Sequence, residues 1–185
     1  RDVERSRGLG DVYKRQAKTV VDGWLHTGDI VALADNGELM IVDRKKAIII
    51  TSGGKNIAPS EIENALKDSL HVREAIILGD GRHYLAALIQ IDFDTVGKWA
   101  QERKLAYTTY KSLALLPEVR ELIEEDVKRV NKLFARVENI RKFLILEKEL
   151  DHDDGELTAT QKVRRNVIEK TFAKEIAIIY GGGAG

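Results

Sequence analysis

Three stretches of the chain bring together residue types that could do chemistry at close spacing. In Gly23-Trp24-Leu25-His26-Thr27-Gly28-Asp29 a carboxylate follows turn-forming residues. Its chemical use would be to accept hydrogen bonds from two neighbouring hydroxyls, such as those of a ribose; taken alone, so short a stretch is better accounted for by an ordinary turn with an aromatic plug. The second stretch runs from Asp43-Arg44-Lys45-Lys46 through apolar residues to Gly53-Gly54-Lys55-Asn56-Ile57-Ala58-Pro59. Adjacent glycines let a narrow ligand approach the backbone, because no Cβ intervenes. The plain alternative is a solvated turn, a glycine turn and a helix start. The third is Gly155-Glu156-Leu157-Thr158-Ala159-Thr160-Gln161-Lys162-Val163-Arg164-Arg165. A lysine on such a loop can be delivered to a phosphate as a point charge. The bland counterpart is a basic helix start, which the helix dipole disfavours.

Other motifs fail on their own terms. A phosphate loop ending at Gly54-Lys55 needs glycine at position 49, which is Ile49, and Asn56 stands where a magnesium-binding Ser or Thr belongs. Asp151-His152-Asp153-Asp154-Gly155 suggests a calcium loop, but its glycine comes one residue early and Lys162 occupies the bidentate glutamate position. His26, His71, His83 and His152 lack metal-ligand spacing. Ser52 and Ser60 have no histidine or acid nearby in sequence to form a triad, though a distant partner stays open.

The elements that must position these residues follow from patterning. Asp22-Gly23 and Asp35-Asn36-Gly37 are turn signals, with strands expected at Leu39–Val42 and Ala47–Thr51. Ser60 and Glu63 have capping-box spacing, predicting a helix over Glu61–Leu70. Strands are expected at Glu74–Leu78, Tyr84–Ile91 and Phe143–Leu146, and helices at Thr95–Lys104 and Arg164–Ala173. The clearest helix starts at Pro117, with Val119, Leu122, Ile123, Val127, Val130, Leu133, Phe134 and Val137 on one face. Glu124 with Lys128 and Glu125 with Arg129 stand four apart on its wet side. Asp151–Gln161 reads as a polar loop. Strands alternating with helices predict an α/β or α+β domain with a small sheet.

Composition narrows the classes. With 185 residues and 43% hydrophobic content the chain can bury a sizeable core, as one domain or one domain with part of another. Thirty basic residues against thirty acidic ones remove the global electrostatic case for nucleic acid or an anionic membrane. The absence of cysteine excludes disulfides, thiol catalysis and thiolate metal sites. Apolar runs such as Ala47–Ile50 fall far short of the ~20 residues that span a bilayer. Residues 1–16 are charged and without periodicity, and are expected to be a disordered or foreign tail; Gly181–Gly185 is expected to be flexible.

Taken together and in this order, the three stretches resemble the C-terminal part of the adenylate-forming (AMP-binding) enzymes, most closely the long-chain fatty acyl-CoA synthetases. The resemblance spans about Val21 to Tyr180 and is carried by Asp43–Pro59, by Gly155–Val163 and by the helical stretch Pro117–Ile140. It implies an α+β fold, a small mixed sheet flanked by helices, forming the mobile lid domain at 46–180. Residues 17–45 would be the β-rich end of a large N-terminal domain that the chain does not contain.

The resemblance also implies roles. Asp29 would hold the ATP ribose hydroxyls and Arg44 would contact the nucleotide. Lys46 would be the hinge. Gly53, Gly54 and Lys55 would face CoA, the glycines lining its pantetheine tunnel. Lys162 would bridge the carboxylate and the α-phosphate during adenylation. Ala159 stands where a proline is usual, and Gln161 where glycine or an apolar residue is usual. Fatty acid, ATP and CoA would be the substrates, with the magnesium ligand in the missing domain and no nucleic acid partner. The location would be cytoplasmic, with peripheral membrane contact left open. The alternatives are a non-catalytic helical interaction module built on the Pro117–Val137 stripe, and the lid of another adenylate-forming enzyme, such as a carrier-protein-loading adenylation domain. Against the first, mixed charge on that helix disfavours an anionic surface and a core-facing stripe is the simpler use.

Overall fold

The computed structural model describes residues 19–160 and 162–181. The expected tail at 1–16 and the glycines at 182–185 lie outside these. Backbone packing divides the chain into two units, Arg1–Ala47 and Ile48–Gly185.

The described part of the first unit is two antiparallel hairpins. β1 (Val20–Val21) and β2 (Trp24–Leu25) are joined through Asp22 and Gly23, both at positive φ, the requirement of a tight primed turn. β3 (Asp29–Leu33) pairs with β4 (Leu39–Arg44), and its register sets Asp29 opposite Arg44.

The second unit opens with a short hairpin of β5 (Ile49–Ile50) and β6 (Asn56–Ile57), so the strand expected over Ala47–Thr51 shrinks to two paired residues. Helix α1 spans Pro59–Lys67. It starts at a proline, whose missing N–H costs nothing in a first turn, and no side chain caps it. The capping box expected from Ser60 and Glu63 does not form; Glu63 turns inward instead.

The main sheet has the order β7 (Val72–Leu78), β8 (Leu85–Ile91), β9 (Ile140–Ile145), with β8 antiparallel to β7 and parallel to β9. Every residue of β8 is buried, which explains its almost unbroken apolar run: both faces are covered. Alternation sorts the side chains. Ala75, Ile77, Leu85, Ala87, Ile89 and Ile91 pack with the core of α1, α2 (Phe93–Glu102), α3 (Tyr110–Ala114) and α4 (Pro117–Asn131). Ile76, Leu78, Ala86 and Leu88 face α5 (Arg165–Thr171) and α6 (Ala173–Gly181), which bring Ile168, Phe172 and Ile179. The result is a small mixed sheet between two helical layers, as the resemblance implied.

α4 buries Val119, Ile123, Val127 and Val130 in the chain's own core, so that stripe is not a free docking face. The helix stops at Asn131, short of the expected Val137. The Asn131 amide bonds both the N–H (2.8 Å) and the C=O (2.9 Å) of Ile140, tying the helix end to β9. Leu133 and Val137 are exposed as a consequence. Lys128 pairs with Glu124 at 2.7 Å as expected, whereas Arg129 reaches Asp126 rather than Glu125. α6 adds a helix beyond the last one that the sequence predicts, and Gly181 is its final residue. Among the described residues, no helix is long and apolar enough to cross a membrane.

Candidate functional site

In the first unit, cross-strand register brings together two residues fifteen positions apart. Arg44 Nε lies 2.8 Å from Asp29 Oδ1, with the Arg44 side chain 73% exposed. An exposed pair of this kind adds little stability, so its interest is chemical: a carboxylate and a guanidinium share one surface. Behind them Asp43 is buried and accepts the Arg44 N–H at 2.7 Å. The Asp29 N–H is taken by Thr27 Oγ1 at 3.2 Å. Lys46 lies in the turn after β4, one residue before the boundary between the two units.

The glycine stretch forms the loop between β5 and β6. Thr51 shapes it: its N–H donates to Lys55 O at 3.0 Å, its carbonyl accepts the Gly54 N–H at 2.8 Å, and its Oγ1 accepts the Lys55 N–H at 3.2 Å. Gly54 has φ +74°, a conformation glycine adopts freely. Gly53 has no such need, and a Cβ built on it meets only Thr51 Oγ1, at 3.9 Å. Internal packing therefore does not demand glycine at 53. The residue lines a cleft of about 370 Å³ together with Lys55, His83, Arg136 and Arg141, and no acidic side chain contributes to that lining. Lys55, Arg136 and Arg141 form no ion pair among the described residues, which leaves them available to an anion.

Ser52 Oγ stands 2.7 Å from His83 Nδ1, a partner 31 positions away that sequence alone did not supply. Among the described residues no acid bonds His83, so this is a loop contact and not a triad. A separate Ser–His–Asp cluster is structural as well. Asp126, on the buried side of α4, accepts from Ser69 Oγ at 2.6 Å and lies 2.8 Å from His71 Nδ1, stapling α4 to the turn before β7.

Lys162 sits on the returning arm of a hairpin closed by a bridge between Leu157 and Val163. The Thr158 N–H donates to Lys162 O at 2.8 Å, and the Lys162 N–H donates to Thr158 Oγ1 at 3.0 Å. Lys162 is exposed and lines a cleft of about 330 Å³ with Ser60, Glu63, Asn64, Lys67 and Arg165. This cleft shares no lining residue with the one at Gly53. The second unit thus offers two separate surfaces, one with an exposed lysine and one with glycine and unpaired cations. Two partners of the lysine arm were invisible to sequence reasoning. Arg165 pairs with Glu63, 102 positions away, and Glu156 is completely buried. Burial pushes the Glu63 carboxyl above its usual range, against the pull of the Arg165 charge. Among the described residues no group of three or more His, Asp or Glu could hold a metal ion.

The mixed sheet between helical layers is the fold of the C-terminal domain of adenylate-forming enzymes. The AMP-binding enzyme C-terminal domain family matches residues 46–183, and the chain belongs to that family. It is 41% identical over 160 residues to long-chain-fatty-acid–CoA ligase FadD15 of Mycobacterium tuberculosis, covering 86% of this chain and 27% of that protein. It is 33% identical to long-chain-fatty-acid–CoA ligase 1 of Homo sapiens, covering 93% of this chain and 25% of that protein. The chain therefore spans about a quarter of the length of these curated relatives. In fold it is similar to the adenylation domain of a carboxylate reductase from Mycobacterium chelonae, with TM-score 0.75 and 21% identity, over 91% of this chain and 25% of that one. The corresponding domain of a carboxylic acid reductase from Segniliparus rugosus, solved in complex with AMP, matches with TM-score 0.72 and 20% identity, over 92% of this chain and 26% of that one.

Proposed function

We propose that this chain is the C-terminal part of a long-chain fatty acid:CoA ligase. The whole enzyme converts fatty acid and ATP to acyl-AMP and pyrophosphate, then acyl-AMP and CoA to acyl-CoA and AMP. The observation that carries this is the pair of separate clefts on the second unit, one for each half-reaction. The identity to fatty-acid–CoA ligases across most of the chain supports a fatty acid as the substrate class.

In the first half-reaction Lys162 supplies a positive charge between the fatty-acid carboxylate and the α-phosphate, where negative charge accumulates as pyrophosphate leaves. In the second, the Gly53 face closes the site. The bare backbone at Gly53 and Gly54 admits the thin pantetheine arm, while Lys55 and its cationic neighbours suit the phosphates of CoA. Asp29 accepts the ribose hydroxyls of ATP and Arg44 contacts the nucleotide, so the ion pair between them opens or tilts when nucleotide arrives. Lys46 is the hinge, next to the Ala47/Ile48 boundary. Residues 17–45 belong with the large N-terminal domain and 46–180 form the lid. No residue of this chain is assigned to magnesium, whose ligand belongs to the large domain. The enzyme works in the cytoplasm, with peripheral membrane contact an open arrangement.

The test is a comparison of half-reactions in the full-length ligase that carries this segment. Lys162→Ala should depress pyrophosphate exchange far more than thioester formation from preformed acyl-AMP. Equal losses would refute the division of labour.

A further inference from the structure

The hairpin that presents Lys162 is held at both feet by acids, Glu156 buried and Glu63 mostly so. On the outgoing arm, Glu156 has no exposed surface. Its Oε2 accepts the Asp151 N–H at 3.1 Å and its own N–H donates to Asp151 O at 3.1 Å, closing the loop base on itself. Its Oε1 stands 2.9 Å from the Lys148 ammonium, which also binds Asp154. That contact is an ion pair from one ammonium shared by two carboxylates. The Glu156 carbonyl then takes the Arg164 N–H at 2.8 Å, joining the outgoing foot to the returning one.

On the returning arm, Arg165 reaches the free edge of the sheet. β7 is an edge strand, and Ile77 turns both of its backbone groups to side chains there. Glu63 Oε1 accepts the Ile77 N–H at 2.8 Å, and Arg165 Nη1 donates to the Ile77 C=O at 2.8 Å. Arg165 Nη2 and Glu63 Oε1 bond each other and complete the ring. Two side chains from α1 and α5 thereby do what a neighbouring strand would do. Lys162 lies three residues before this anchor and six after Glu156.

Burying these acids is costly, and a buried ion pair is weak evidence for stability. Apolar residues would seal the same places with less desolvation. What the acids supply is direction: each fixes backbone groups at named distances from the hairpin. We propose that Glu156 and the Glu63–Arg165 pair are positioning residues for Lys162, setting where its ammonium stands above the β7 edge. This rests on the assignment of Lys162 to adenylation. None of the three touches a substrate.

The proposal is tested in two layers. In this chain, amide exchange is followed at Thr158, Lys162 and Arg164 and, as internal reference, at Leu88 and Ile89. Glu156→Gln and Arg165→Met should speed exchange at the hairpin amides about tenfold while the sheet amides hold. Arg165→Lys, which keeps the charge and loses the fork, should fall between. Unchanged hairpin amides overturn the proposal. If Arg165→Met also strips protection from Leu88 and Ile89, the decision rests on the gentler Glu156→Gln and Arg165→Lys. In the full-length ligase, Glu156→Gln should lower the kcat of adenylation about tenfold with little change in KM, and leave the thioester step intact. Normal adenylation in Glu156→Gln, beside a dead Lys162→Ala, overturns positioning and leaves the lysine's role standing. Normal adenylation in Lys162→Ala removes the lysine's role, and the positioning proposal with it.

Discussion

The two glycines of the β5–β6 loop are adjacent in sequence yet should respond oppositely to the same substitution. Gly54 has φ +74°, so an alanine there is held in the left-handed region at a cost of about 1–2 kcal/mol. Gly53 is not in that region, and its added Cβ has no neighbour closer than Thr51 Oγ1 at 3.9 Å. Gly53→Ala restricts the unfolded chain without straining the folded one, a gain of about 0.4–1 kcal/mol. The variants should therefore differ by roughly 1.5–3 kcal/mol. At about 2–4 °C per kcal/mol for a chain of this size, that is a gap in Tm of about 3–12 °C, Gly53→Ala being the more stable. Thermal unfolding followed by circular dichroism measures it. Gly53→Leu then separates fold from function. Its side chain extends where the backbone has open space, so the protein should stay folded. Thioester formation from preformed acyl-AMP in the full-length ligase should fall at least about tenfold, roughly 1.4 kcal/mol of barrier. A Gly53→Ala protein less stable than Gly54→Ala would show the loop geometry to be wrong. Normal CoA turnover in a folded Gly53→Leu enzyme would remove the pantetheine passage from this loop.

Other perturbations have equally definite outcomes. Asp126→Ala strands the Ser69 hydroxyl and the His71 ring nitrogen, which lie 2.6 and 2.8 Å from the lost carboxylate. At about 1–3 kcal/mol per stranded group the loss should be about 2–6 kcal/mol in urea unfolding, with Asp126→Asn milder; equal effects would deny the carboxylate its role. Glu63 should make stability pH-dependent. Burial raises its carboxyl above the ordinary 4.5, so the folded chain keeps that proton to higher pH than the unfolded chain does. Its contribution is complete below 4.5 and declines as pH rises through the folded value. The stability of wild type minus that of Glu63→Gln should therefore shrink as pH rises above 4.5 in urea titrations, and a growing difference would contradict the assignment. Lys46→Pro stiffens the turn beside the unit boundary and should slow passage between half-reactions while nucleotide affinity stays largely intact. A matched loss of ATP binding would point to a static role for that turn.

What could be read from the residues was whatever depends on near neighbours. The apolar run Leu85–Ile91 announces a strand, Asp22-Gly23 a tight turn, and the three-and-four spacing from Val119 to Val130 a core helix. The glycine pair and Lys162 drew notice by residue type and spacing, and their roles came from the resemblance. Wherever two distant segments meet, tertiary structure decided. The long helix ends at Asn131 because its amide finds both backbone groups of Ile140. Glu63 has the spacing of a capping residue, yet the free edge of β7 and the guanidinium of Arg165 offer its carboxylate more than the first turn of α1 does. Arg129 prefers the partly buried Asp126 to the exposed Glu125. Asp29 meets Arg44 only because the β3–β4 register sets them opposite each other. Short-range propensity is worth tenths of a kcal/mol per residue, whereas a buried charge or backbone group left without a partner costs a few kcal/mol. The local pattern therefore determined which elements form, and the need to satisfy buried polar groups decided where they stop and what their side chains hold.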